Sequence, residues 1–251
     1  MDSVFIGTTI LKLDRIDSTN TFLLSYLREK DLPEGFIVTT EEQYAGRGQR
    51  EQEWLSERSS NLTFSLLLKA RFLSIKEQFY ISKIIAIALC RAVQFYTTEK
   101  CSIKWPNDIY VGDKKIAGVL IENILSEHKI DRSVVGIGLN VNQSVFSDLI
   151  KDRSCSLVQL TGNTLKKEVV LKRLCKEIEV CYLQLRSGKK EHIDRVYHEL
   201  LYRLDAWYNY KKSDEIFKGK IQGVALNGKL LLKRSSGAIE YYDLKEISFD
   251  I

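Results

Sequence analysis

The chain has 251 residues, is 44% hydrophobic and carries a formal charge of +5. That length and apolar content support a substantial core, in one large domain with a small appendage. A charge this mild, with Lys and Arg mixed among Asp and Glu, does not point to nucleic acid. It suits an anionic substrate or an acidic partner surface.

Residues 1–13 are too short and polar for a secretory signal. The longest apolar run in the most hydrophobic segment, residues 84–90, falls far below membrane-spanning length, so no membrane contact is expected. Cys90, Cys101, Cys155, Cys175 and Cys181 are scattered without Cys-x-x-Cys spacing. They read as buried thiols of a reducing cytoplasm rather than disulfides or zinc ligands. His128, His192 and His198 form no ligand motif, and no protein metal site is expected.

Asp17, Ser18, Thr19 and Asn20 are capping residues, and Phe22, Leu23, Tyr26 and Leu27 follow at helical spacing. Residues 35–40 and 61–68 read as strands, with a glycine-rich polar stretch at 45–50 between them. Residues 74–96 carry Ile81, Ile84, Ile85, Ala88, Leu89, Ala92 and Val93 in the pattern of a buried helix. Strands are predicted over 101–105, 115–122 and 133–141, the first two separated by turns at Asn107-Asp108 and Gly112-Asp113. Helices are predicted over 166–186, with Val170, Leu174, Ile178, Cys181 and Leu185 on one face, and over 192–204. Beyond Leu204, short strands over 220–225, 229–233 and 239–244 are joined by Asn227-Gly228 and Ser236-Gly237, a strong hairpin signal. The expected fold is α+β: a mixed β-sheet flanked by helices over residues 1–204, then a small antiparallel barrel-like module over 205–251.

Four stretches carry candidate chemistry. In Gly46-Arg47-Gly48-Gln49-Arg50, glycines allow close backbone approach and arginines offer planar forks for phosphate or carboxylate; an exposed flexible loop has the same composition. The stretch is neither a P-loop nor a dinucleotide fingerprint. Lys104-Trp105-Pro106-Asn107-Asp108 follows an apolar strand and reads equally as a stiffened strand-ending turn. Lys115, at the start of Lys115-Ile116-Ala117-Gly118-Val119-Leu120-Ile121-Glu122, could face a phosphate or only solvent. The glycines of Gly136-Ile137-Gly138-Leu139-Asn140 imply close approach by a ligand or by packing neighbours.

Taken together and in this order, with Ser18-Thr19-Asn20, these motifs resemble the biotin protein ligases (holocarboxylase synthetases), densely over residues 18–142. The resemblance implies the class II synthetase-like biotin/lipoate ligase fold, with an SH3-like C-terminal β-barrel. It implies a cytoplasmic, monofunctional ligase without the N-terminal helix-turn-helix of the repressor members. Biotin and ATP would be substrates, Mg²⁺ would accompany the nucleotide, and the partner would be a biotin carboxyl carrier protein or domain. Homodimerisation through the central sheet, known in some relatives, is compatible with it.

By the same resemblance, Ser18, Thr19, Asn20 and Gln43 line the ureido pocket, and Gly46, Arg47, Gly48, Gln49, Lys115 and Gly118 complete the biotin site. Arg47, Arg50, Trp54, Asn107, Lys115 and Asn140 would contact ATP, and Lys115, Asp108 and Arg50 would be catalytic. Two departures stand out. Arg50 is followed by Glu51 where the family commonly has glycine, and Gln49 stands where some members have arginine. Asp250 occupies a position where some relatives place a base, which weighs against a nucleotide contact from the C-terminal module. The alternatives are a lipoate protein ligase and a non-catalytic biotin-binding protein.

Overall fold

The computed structural model describes residues 3–48, 54, 56–244 and 246–249. The chain runs β1 (Ile10–Ile16), α1 (Thr19–Glu29), β2 (Ile37–Gln43), β3 (Leu62–Leu68), a 3₁₀ turn (Ile75–Glu77) and α2 (Phe79–Gln94). It continues through β4 (Cys101–Lys104), β5 (Asp108–Val111), β6 (Lys114–Ser126), β7 (Lys129–Leu139), α3 (Leu157–Thr161), α4 (Lys167–Arg186) and α5 (Lys190–Glu199). The last elements are β8 (Trp207–Lys212), β9 (Glu215–Val224), β10 (Leu230–Arg234) and β11 (Ile239–Tyr242).

The first seven strands form one sheet in the order β1-β2-β3-β7-β6-β5-β4. Only the β1–β2 pair is parallel, so the sheet is mixed as expected. Side chains alternate between its faces, and the two faces have different fates. Phe64, Leu66 and Leu68 of β3 join the main core with Ile81, Ile84, Ile85 and Leu89 of α2 and Leu174, Ile178 and Leu185 of α4. Each such side chain contributes about 1.5–3 kcal/mol on burial. Leu67 and Val134 face the other way and pack against Leu23 and Leu27 of α1 in a smaller cluster. Only part of that second face is covered by α1, and the candidate site occupies the rest.

Several elements differ from the sequence reading. Strand β1 was not anticipated, because its Lys12, Asp14 and Arg15 break the apolar signal of an edge strand. Between the turns at Asn107 and Gly112, Asp108–Val111 is a strand paired on both sides. Four residues are too few to show periodicity. The 74–96 segment splits at Gln78 into the 3₁₀ turn, closed by a Ser74–Glu77 capping box, and α2. The predicted 192–204 helix stops at Glu199, because β4 captures the following backbone: Ile103 N donates to Leu200 O (2.7 Å) and Tyr202 N donates to Ile103 O (2.9 Å).

The C-terminal strands form a separate antiparallel sheet in the order β11-β10-β9-β8. The Asn-Gly and Ser-Gly pairs sit at its hairpin turns, with Gly228 and Gly237 at positive φ. Strand β8 was missed because it is short and its aromatics show no buried face of their own: its first three residues are exposed and Tyr210 alone is buried. After β11 the chain returns to β8 through paired Lys211 and Ser248, curling the sheet towards closure.

Candidate active site

A cavity of about 200 Å³ opens on the uncovered face of the large sheet. Its floor follows from strand register. Thr63, Gly138, Gly118 and Asp108 stand directly opposite one another across β3, β7, β6 and β5, and Lys104 faces Asp108 from β4. The neighbouring row on the same face is Ser65, Gly136 and Leu120. Glycines at the centre of both rows lower the floor. A Cβ on Gly136 would stand 2.5 Å from Asn20 Oδ1, and one on Gly138 would stand 2.5 Å from Trp54 Cζ2. The glycines of 136–138 therefore make room for side chains brought from elsewhere in the chain.

One wall is the N-terminus of α1. Ser18 caps it, its hydroxyl accepting from Thr21 N at 3.4 Å, and Ser18, Thr19 and Asn20 are all buried. Gln43, at the end of β2, accepts from Thr19 N (2.9 Å) and from the Thr19 hydroxyl (3.3 Å). Ser65 donates towards Thr19 Oγ1 (2.8 Å) and Asn20 Oδ1 (2.5 Å). Hydroxyls and amides thus meet at one end of the cavity, a set able both to donate to and accept from a polar ligand.

At the other end Lys115 and Asp108 form an ion pair of 2.7 Å, each side chain about three-quarters buried. Lys115 bends back over Gly118, where an added Cβ would lie 3.3 Å from Nζ, and its ammonium stands 5.5 Å from the centre of the Trp54 ring. Asn107 is tied to β6 by donating from Nδ2 to Val119 O and by accepting from Val119 N. The preceding Trp105-Pro106 peptide is cis. The Trp105 indole donates to Gly228 O at 2.9 Å, which docks the C-terminal hairpin beside the cavity.

The glycine-arginine loop enters from the side. Trp54 N donates to Gly46 O at 2.8 Å, so the loop is pinched at its base. Gly46 is wedged between Gln43 and Trp54 and has no room for a side chain. Arg47 Nη2 reaches Glu122 Oε2 at 3.1 Å and Oε1 at 3.2 Å. Trp54 Nε1 is buried and meets no acceptor among the described residues.

Of the residues singled out in the sequence, Ser18, Thr19, Asn20, Gln43, Arg47, Gly48, Trp54, Asn107, Asp108, Lys115 and Gly118 are brought together around this cavity. Gly46 sits behind it at the loop base. Asn140 is not in the lining: it is buried, and its amide donates to Cys155 O at 3.0 Å, bracing the segment after β7. Gln49, Arg50, Glu51 and Asp250 lie outside the described residues.

Sequence reasoning missed other parts of the cavity. Thr63, in the lining, and Ser65, behind Thr19 and Asn20, alternate with apolar residues in β3, a signal available in the sequence. Glu122, the last residue of its motif, stands beside the lining and joins Asn20 to Arg47, which no local pattern signals. Leu244, Ile247, Ser248 and Phe249 of the C-terminal module complete the lining; no local pattern could have placed them there, because their approach depends on how the two sheets pack.

Across residues 13–140 the chain matches the model of the biotin/lipoate A/B protein ligase family. The chain belongs to that family, and the motif-bearing strands, α1 and the glycine-arginine loop all fall within the matched region. Among curated proteins it is 27% identical to the bifunctional ligase/repressor BirA of Bacillus spizizenii, over 94% of this chain and 73% of the relative. It is 30% identical to the biotin–[acetyl-CoA-carboxylase] ligase of Paracoccus denitrificans, over 61% of this chain and 62% of the relative. A biotin protein ligase from Aquifex aeolicus, solved in complex with biotin and ATP, superposes with a TM-score of 0.79 at 27% identity, covering 96% of this chain and 98% of that one.

Proposed function

We propose that this protein is an ATP-dependent biotin protein ligase that forms biotinyl-5′-AMP and then transfers biotin to a lysine of a biotin carboxyl carrier protein or domain. The observation that carries the reading is the polarity of the cavity, which has a neutral donor and acceptor cluster at one end, Lys115 at the other and Arg47 entering from the side. Thr19, Asn20 and Gln43, oriented by Ser65 behind them, suit a cyclic urea, whose two N–H groups and carbonyl need both kinds of partner. Arg47 and Lys115 suit a carboxylate and the phosphate it attacks.

In the first step the biotin carboxylate attacks the α-phosphorus of ATP, forming a mixed anhydride, and pyrophosphate leaves. Arg47 and Lys115 hold the two anions together, offsetting the repulsion that otherwise separates them. Arg50 would add a further cation through the family motif. The Trp54 indole and the Asn107 turn flank the space for the nucleotide, and Leu244, Ile247 and Phe249 exclude water from the anhydride.

In the second step the carrier lysine attacks the acyl carbon, and AMP leaves with the electrons of the broken C–O bond. A free lysine has a pKa of about 10.4 and is protonated at neutral pH. Asp108, at the end of the cavity floor and paired with the Lys115 ammonium, would take that proton as Lys115 turns to the departing phosphate. Among the described residues no three His, Cys, Asp or Glu side chains gather to hold a metal. A magnesium ion would travel on the triphosphate oxygens and water.

Incubation with ATP, biotin and a purified carrier domain tests the reading. Biotin-dependent pyrophosphate release and a biotinylated carrier are expected. Pyrophosphate release with lipoate instead of biotin would identify a lipoate ligase, and biotin binding without pyrophosphate release would identify a non-catalytic binder.

A further inference from the structure

We propose that Glu122 is a positioning residue that sets the Asn20 amide and the Arg47 guanidinium, side by side, for the acid substrate, an inference that rests on the ligase reading above. Glu122 lies on β6 two residues beyond Leu120, on the cavity side of the sheet, and stands opposite Val134 of β7. Its carboxylate accepts from Asn20 Nδ2 at 2.8 Å and from Arg47 Nη2 at 3.1 and 3.2 Å. One acid therefore joins the start of α1 to the glycine-arginine loop.

The first contact determines which way the Asn20 amide faces. Its second N–H donates to Leu120 O at 3.3 Å, while Oδ1 accepts from Ser65 at 2.5 Å. Both amide protons are engaged by acceptors of β6, so the carbonyl is the end left beside Thr19 and Ser65, with one lone pair for a ligand N–H. A neutral side chain at 122 would lose the charge that makes this arrangement the favoured one.

The second contact acts on Arg47. Among the described residues its guanidinium is held through Nη2 alone, which leaves the Nε and Nη1 side for an incoming carboxylate or phosphate. The Arg47 side chain is 48% exposed and Glu122 29% exposed. A pair that open to water adds little to stability. Its effect lies in restricting a long, mobile side chain before the substrate arrives, which lowers the ordering cost of binding.

The test is a double-mutant cycle on acid-dependent pyrophosphate release, using wild type, E122Q, R47Q and the double variant, with thermal melting of each. E122Q is expected to raise KM for biotin about tenfold, the effect of losing one charge-assisted hydrogen bond, with kcat changed less than about threefold. The combined variant is expected to fall well short of the product of the two single effects, because both act through one contact. Glu122→Asp, which keeps the charge on a shorter arm, should recover part of the loss and serves as the variant of record if E122Q melts early. Wild-type KM in E122Q, a loss confined to kcat, or strictly multiplicative effects would overturn the proposal. Wild-type protein that releases no pyrophosphate with biotin refutes the ligase reading itself; an active wild type with an unaltered E122Q refutes only the role of Glu122.

Discussion

The Trp54 indole lies against the backbone of Gly138, so close that a Cβ at 138 would stand 2.5 Å from Cζ2 and 2.6 Å from Nε1. The same ring reaches Gly118 on the next strand, and the Lys115 ammonium stands over it. Position, not backbone conformation, requires glycine here, since residue 138 has no positive φ.

Gly138→Ala should therefore displace Trp54 and disturb Lys115 while leaving β7 intact. We expect KM for ATP to rise at least about tenfold, with a loss of stability of about 1–3 kcal/mol from overpacking. Nucleotide titration and thermal melting of the variant check this. An unaltered KM for ATP would show that Trp54 does not serve the nucleotide.

Asp108→Asn should separate the two proposed chemical steps. Lys115 keeps its charge in this variant, so pyrophosphate release should persist within about tenfold, whereas transfer to the carrier lysine should fall about 100-fold or more with the loss of a proton acceptor. Single-turnover transfer from preformed biotinyl-5′-AMP measures the second step alone. A variant that does both at the wild-type rate removes Asp108 from the mechanism.

Glu179 anchors the beginning of the described chain. Its buried carboxylate accepts from the backbone N–H groups of Val4 (2.7 Å), Phe5 (2.8 Å) and Ile6 (3.0 Å). Glu179→Ala leaves those donors without their carboxylate partner and should cost about 3 kcal/mol. For a chain of this size that is a fall of about 6–12 °C in Tm. The site is remote from the cavity residues, so KM for biotin and ATP should not move; a shift in either would show coupling between the two regions.

All five cysteines are buried and free. Burial pushes the Cys155 and Cys175 thiols up to about 12 and Cys181 to about 11, and it raises Cys90 too, with Cys101 adding to the effect. The folded protein should react slowly with a maleimide at pH 8, and the urea-unfolded chain quickly. The sign of the pH effect follows from these raised values. The unfolded thiols ionise first, near pH 8.5–9, so this contribution to stability is full below about pH 8.5 and is lost as pH climbs towards the folded values. The urea midpoint should be lower at pH 10 than at pH 7.5. A midpoint that holds or rises over that range contradicts the burial argument.

Much of the site was legible because its parts are short motifs with strong local demands. Ser18 at the head of α1 is a cap whatever it packs against, and the Asn227-Gly228 hairpin follows from the positive φ at Gly228. Short apolar runs bounded by turn residues, with the Asn227-Gly228 and Ser236-Gly237 pairs, were enough to place most strands and the candidate motifs on them. Less was legible where the structure depends on a partner. Strand β1 exists because β2 offers it a ladder, β8 because β9 does, and the end of α5 is decided by β4 taking Leu200 and Tyr202.

What the sequence by itself determined was the family, the two-part architecture and the chemical types of the site: hydroxyls and amides in one motif, cations and an acid in others. Tertiary structure decided which of them meet. Register across β3, β7, β6 and β5 aligns Thr63, Gly138, Gly118 and Asp108, and that row turns separate glycines into a single floor. Only the fold removes Asn140 from the cavity lining, sets Ser65 and Glu122 behind Asn20, and carries Phe249 across from the second sheet. The physical reason is that local preference is set within a few residues, whereas each of these contacts joins segments far apart in the chain and forms only when the apolar faces of the sheets and helices have packed.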